Sequence, residues 1–161
     1  GDKELQIYLN KMIKGMRNEI NKGMDEIGRH LKKEVKSKFG KYQQGWAKLK
    51  RATVVAKYKR RKLAGYKHKR SKLSSLASMF NFGIGPDDPL SLFGDLEKSI
   101  YHKNNKSNLS TTVYSDDEKA AVHEYGYAPK NIPARSYMRL TLFQEEDYVV
   151  KILSNRVGNL I

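Results

Sequence analysis

His123 and Glu124 stand side by side like the first half of an HExxH pattern, in which two histidines one helical turn apart hold zinc and the glutamate activates a water. The second histidine would fall at position 127, which is Tyr127, so the pair lacks its metal-binding complement. Two acidic doublets, Asp87–Asp88 and Asp116–Asp117, have the residue type of a two-metal nuclease. One sits between prolines and the other at an expected helix start, both places where aspartate serves turns and caps. The chain has no cysteine, which removes disulfides, thiolate zinc sites and cysteine nucleophiles. A phosphate-binding glycine loop with its lysine and a nucleophile elbow are also missing from the sequence. The expectation is a protein that is not an enzyme, with no catalytic residues, metal or cofactor. A metal-dependent activity lost on mutating Asp116 or His123 would revive the enzymatic alternative.

The chemistry the chain offers in quantity is positive charge. Its net charge is +15, and the stretch from Val35 to Pro86 carries 15 Lys and Arg with no Asp or Glu, while the other 109 residues balance at 17 basic and 17 acidic. Such a concentration of like charge repels itself unless something anionic lies against it. Within it, Lys57, Lys59, Arg60, Arg61, Lys62, Lys67, Lys69, Arg70 and Lys72 are the candidate contacts, interleaved by Tyr58 and Tyr66. Nucleic-acid phosphates, acidic protein surfaces and anionic lipid are the partner classes that charge alone allows, and contact with phosphates stands level with a solvated face or an arm against an acidic protein neighbour. No base-reading motif is present, so any contact with nucleic acid is expected to be unspecific.

The elements that must position these residues follow from periodicity. Leu5, Leu9, Met12, Met16, Ile20, Met24, Ile27, Leu31, Val35 and Phe39 recur at steps of three and four, which predicts one long amphipathic helix from about Asp2 to Phe39, interrupted at most near Gly15, Gly23 and Gly28. At about 1.5 Å per residue it would span on the order of 50 Å, too long for a domain of this size to cover alone, so part of its stripe is expected to meet another subunit, the alternative being that the segment folds back within the monomer as a helical hairpin. Gly40 to Gly45 ends the pattern, and the basic stretch with its Gly- and Pro-rich tail reads as an excursion from the core. Ser99–Lys103 and Leu109–Ser115 alternate around a polar turn and predict a β-hairpin. Asp116 or Asp117 can cap a short helix, Glu118–Tyr125, stopped by Gly126. Pro129 and Pro133 predict an extended passage, and a last helix is expected from about Gln144. The fold class is therefore α+β, with a long amino-terminal amphipathic helix, a small antiparallel sheet, short helices and an extended basic loop. The chain is expected to be one domain, 1–161, divided into the helix at 1–40, the basic excursion at 41–93 and an α+β core at 94–161. No apolar run approaches the roughly 18 residues of a membrane span, and the amino-terminal residues lack a signal-like apolar segment, so the expected setting is the cytosol or a particle assembled there.

Four short pieces, in order, resemble one family. Gly45-Trp46 with Leu49 and Thr53 is similar to a G-W-x-x-L-x-x-x-T segment, and Gly94-Asp-Leu96-Glu-Lys-Ser99-Ile100 to G-x-L-x-x-S-I. Ala120-Ala-Val-His123-Glu-Tyr-Gly126 and Ile132-Pro133-Ala134-Arg135 resemble the histidine–glycine and PAR cassettes. The pattern is that of the phage virion morphogenesis family, the tail-completion or head–tail joining proteins of tailed phages, and it spans about Phe39 to Leu142. The stretch from Val54 to Phe93 is longer than the family's, so no DNA role for the basic run comes with the resemblance. Ser136-Tyr137 also replaces the usual proline and phenylalanine.

The resemblance implies a structural virion protein at the neck or upper tail, assembled in the host cytoplasm into a homo-oligomeric ring. Six copies would match the tail and twelve the connector. Its neighbours would be connector or adaptor and tail-tube or terminator proteins, with DNA in the lumen as a further candidate contact and no membrane. The motif residues read as structural: Trp46 as an anchor between the long helix and the sheet, Gly126 as a left-handed helix cap, Pro133 as an extended entry, and Arg135 as a planar fork for a carboxylate or carbonyl. The alternative is a free-standing basic nucleic-acid-binding protein.

Overall fold

The computed structural model describes residues 1–65 and 87–158. In chain order the elements are α1 (Asp2–Ser37), α2 (Arg51–Leu63), α3 (Asp95–Lys98), β1 (Ile100–Asn105), β2 (Ser110–Ser115), α4 (Lys119–Tyr125), a 3-10 turn (Ala128–Lys130), α5 (Met138–Gln144) and α6 (Glu146–Gly158). The α+β class is as the sequence predicts, with the strands paired as one antiparallel hairpin. Among the described residues no helix is long and apolar enough to cross a membrane.

The chain forms two compact units, and it passes between them more than once. The first holds Gly1–Val35, Tyr101–Tyr114 and the segment from Met138 onward, and the second holds Lys36–Ile100 and Ser115–Tyr137.

In the first unit α1 runs unbroken through Gly15, Gly23 and Gly28, because its apolar stripe supplies packing that outweighs the low helix propensity of glycine. The glycines at 23 and 28 serve as notches. A Cβ at Gly28 would stand 2.3 Å from the Thr111 hydroxyl and 2.8 Å from the His102 ring, and one at Gly23 would touch Arg156 and Leu153 of α6. The hairpin is further tied to the helix by side chains that bond backbone carbonyls: Asn104 donates to the Asn21 carbonyl at 3.2 Å and Arg17 to that of Ser107 at 3.0 Å. On the α6 side Arg156 pairs with Glu26 at 2.8 Å and Glu19 at 3.3 Å. His30 meets Glu145 at 2.7 Å while its ring stacks on Tyr148 with centroids 3.8 Å apart. Ile27, Leu31 and Val35 are buried, whereas Leu5, Ile7, Tyr8, Leu9, Met12 and Ile13 remain exposed at the amino-terminal end of the same helix.

The second unit starts at the turn after α1, where Gly40, at φ +75°, donates its N–H to the Pro89 carbonyl at 2.9 Å. Its core is Phe39, Val54, Leu96, Ile100 and Tyr137. The structure differs from the sequence reading in three places here and just beyond. Part of the basic stretch is helical rather than an extended loop, because α2 turns Val54 and the aliphatic stems of Lys57 and Arg61 inward on one face. Residues 138–144, to which the sequence reading assigns no element between the prolines and the last helix, form α5, so the last helix is preceded by a second short one. Gly126 has the expected positive φ of +80°, but its ψ of 171° makes it an extended, glycine-specific corner and not a left-handed cap.

Candidate functional site

The pieces of the family-like pattern meet in the second unit. Ser99 Oγ donates to the Leu96 carbonyl at 2.8 Å and shares a 2.6 Å hydrogen bond with Ser115, which fixes the entry to the hairpin over the fully buried Ile100. Gly94 begins α3 at φ +85°. Asp117 caps α4 by accepting from the Lys119 N–H at 2.9 Å, as expected of that doublet. At its other end α4 leads into Gly126, which is pressed against Ile132 and Ala134. The loop between them is closed by Tyr127 and Ile132, which exchange hydrogen bonds at 2.8 and 3.1 Å. Pro133 and Ala134 are exposed, and Arg135 behind them is 4% exposed. Its own N–H donates to the His123 carbonyl at 2.7 Å, and its guanidinium donates to the Ala47 carbonyl at 2.9 Å. The planar fork expected at Arg135 thus holds a carbonyl. It ties the Trp46-Ala47 loop to the PAR segment, while Trp46 itself is half-buried and outside the core.

Glu124 is buried beside this. Its carboxylate accepts the Tyr137 N–H at 2.8 Å, and its carbonyl accepts the Ser136 hydroxyl. The His–Glu pair is therefore divided, with Glu124 turned to the backbone around Tyr137 and His123 lining a pocket. Asp87 likewise accepts the Tyr42 hydroxyl at 2.8 Å, and Tyr42 accepts the Leu49 N–H at 2.9 Å. Among the described residues no group of three or more His, Asp or Glu side chains is placed to hold a metal ion.

The pocket, of about 320 Å³, gathers Leu49, Thr53, Gly94, Leu96, His123 and Arg135, so residues from separated pieces of the pattern line one space. Lys57 and Arg60 join them from α2, and Asp95, Asp117 and Lys119 add charge of both signs to the lining. Burial, and then the positive charge of Arg135, lowers the pKa of His123, which favours the neutral imidazole.

The candidate basic contacts divide sharply. Arg61, 4% exposed, donates to the carbonyls of Leu92 at 2.7 Å and Ser91 at 3.0 Å and lies 3.8 Å from the Asp88 carboxylate. Lys57 donates to the Asp88 carbonyl. These two hold the 88–92 loop and are not part of an exposed anion-binding face, a correction that sequence could reach only by placing Val54, Lys57 and Arg61 on one helical stripe. Lys59, Arg60 and Lys62 are exposed on α2. Lys67, Lys69, Arg70 and Lys72 lie outside the described residues, as does Tyr66.

Burial, and secondarily the charge of Arg61, pushes the Lys57 pKa down from 10.5 to about 8. Between these values the unfolded chain keeps a proton that the folded protein has lost, so this group makes stability rise with pH across that window; well below it the cost of burying the charged amine is fully present and stability no longer varies with pH through this group. An NMR titration of the Lys57 side chain should give a midpoint of about 8, and Lys57→Met should flatten the rise. A midpoint at 10.5 would mean that the amine reaches water.

Comparisons with protein-family models, with curated proteins and with solved structures give no match to this chain. The residues that sequence reasoning missed at the site are Glu124 as a buried backbone acceptor, Lys119 and Asp95 in the pocket lining, and the 90–93 segment. Nothing in their local spacing marks them, since each acts through a distant part of the chain.

Proposed function

We propose that the chain is a structural subunit of a tailed-phage particle, at the neck or upper tail end, which completes the tail and joins it to the head by forming a closed ring. The observation that carries this reading is the exposed apolar end of α1, where Leu5, Leu9 and Met12 continue the stripe that Ile27, Leu31 and Val35 bury. A stripe of this kind, continued past the chain's own packing, is a surface for a neighbouring copy, and closed symmetry lets one such patch serve every interface. The meeting of the family-like pieces in one compact unit agrees with their role as fold determinants.

Sedimentation over a range of concentration and salt tests the proposal. The expected result is a closed six- or twelve-copy species, with Leu5→Asp/Leu9→Asp reduced to monomer and its helical circular dichroism retained. A chain that stays monomeric even with purified connectors and tail tubes would remove the reading. The exposed Lys59, Arg60 and Lys62 favour a second reading, unspecific nucleic-acid binding by a free-standing monomer or dimer. Changing these three to glutamine while keeping Arg61 should lower the salt dependence of DNA affinity by about one unit for each phosphate no longer neutralised.

A further inference from the structure

A cyclic ring needs two different patches on every copy, because a head-to-tail contact that closes joins one surface of a subunit to another surface of the next. The exposed end of α1 is one such patch. In the same unit the exposed large apolar side chains outside α1 are Tyr101 and Tyr114 on the hairpin, Leu142 and Phe143 at the end of α5, and Val150 on α6. The two tyrosine rings lie against each other, with centroids 6.0 Å apart, and their hydroxyls suit water. Phe143 has no polar atom in its side chain, yet it is 74% exposed, and Leu142 beside it is exposed as well. The neighbouring α6 has one side against α1, with Ile152, Leu153 and Arg156 at Gly23 and Tyr148 stacked on His30. Its other side carries Asp147, Val150, Lys151 and Ser154, spaced three and four apart and all exposed, and none of its residues is buried. A second helix fits that side.

Charge selects the occupant and its direction. On α1, Glu4 and Lys11 are seven residues apart and so edge the same side of the apolar stripe, while on α6 the exposed Glu146 and Asp147 come about one turn before Lys151. With the helices antiparallel, Leu5 beside Val150 and Met12 toward Phe143, Glu4 meets Lys151 and Lys11 meets the acidic pair. The parallel arrangement brings Glu4 toward the acidic pair and Lys11 toward Lys151. Antiparallel is also the sense in which α6 packs on its own α1, where Tyr148 lies at His30 and Arg156 at Glu26 and Glu19. We propose that the amino-terminal end of α1 docks antiparallel on the exposed side of α5 and α6 of a second copy of this chain, with Leu5, Leu9 and Met12 over Phe143 and Val150. The inference deepens the ring reading and rests on it for closure alone, since a contact between two copies is measured separately from the closing of a ring.

Mixing two variants of the full chain tests the contact. Leu5→Asp/Leu9→Asp keeps the face on α5 and α6, and Phe143→Asp/Val150→Asp keeps the end of α1; all four positions are exposed, so both variants should retain their helical circular dichroism. In sedimentation each alone should be monomeric. An equimolar mixture should give a one-to-one heterodimer and nothing larger, because only one intact contact can form. Glu4→Lys added to the second variant, or Lys151→Glu added to the first, should raise the dissociation constant of the heterodimer about threefold, and the two together should recover most of the loss. A two-fold pairing of α1 ends would instead give no heterodimer and leave the Phe143→Asp/Val150→Asp chain self-associating. Either of those results, or a paired charge reversal that recovers nothing, overturns the proposal. A wild-type ring without the heterodimer would retain the assembly reading and lose this contact, whereas a heterodimer from a chain that forms only open filaments would retain the contact and lose the ring.

Discussion

Replacing Tyr137 with alanine should lower the stability of the protein by about 3–5 kcal/mol, the range for emptying a buried aromatic site. The ring has no solvent exposure and meets Phe39 edge to face, with centroids 5.2 Å apart and planes at 72°. That geometry sets the positive edge of one ring against the negative face of the other. Burial, and then the nearby Glu124 carboxylate, raises the pKa of its hydroxyl, so the phenol stays neutral through the physiological range. Tyr137→Phe keeps the packing and should cost no more than about 1–2 kcal/mol. Urea denaturation of the two variants separates these contributions. A loss below about 1 kcal/mol for the alanine variant would show that the second unit closes over the gap without the ring.

Gly126→Ala should destabilise by about 2–5 kcal/mol, combining a backbone conformation reserved for glycine with overpacking against a neighbour that cannot rotate away. An added Cβ would lie 2.8 Å from the Ala134 nitrogen and 3.0 Å from the Ile132 oxygen, both backbone atoms. Because Ala134 adjoins Arg135, relief of that clash would move the guanidinium that holds the Ala47 carbonyl. The variant should therefore also show altered Trp46 fluorescence, a change that simple loss of stability at an isolated turn would not bring. Unchanged denaturation and emission together would rule out close packing of the corner on the PAR segment.

The parts of the fold that were legible are those governed by local periodicity. The stripe from Leu5 to Val35 announced α1, and alternation on either side of the Asn-rich turn announced the hairpin, whose turn is held by Asn105 Oδ1 accepting from Ser107 and Asn108. Asp117 and Gly126 bracketed α4 almost to the residue. α2 was concealed because its buried face is built from long basic side chains, so the charge that suggested solvent was also what filled the interior at Lys57 and Arg61. α5 was hidden by the prolines just before it, whose influence ends at Pro133 while the chain recovers helical geometry by Met138. At the site, the individual motif residues could be picked out in order. Their gathering around one cavity depends on the tertiary path that brings residues 49–60, 90–96 and 117–135 together. No periodicity encodes that path.

The glycine notches of α1 carry a mechanical consequence. With Thr111 and His102 seated where only a hydrogen can stand at Gly28, and α6 against Gly23, the helix cannot slide along the hairpin, because any other register would drive a side chain into them. The exposed stretch at residues 2–14, on the order of 20 Å long, thus keeps a set position relative to the hairpin. Inserting four residues near Gly15 would extend its reach by about 6 Å and rotate its apolar side by only about 40°. Inserting two would swing that side about 200°, to the opposite face. An assembly that measures its spacing with this rod would tolerate the longer insertion better than the shorter one.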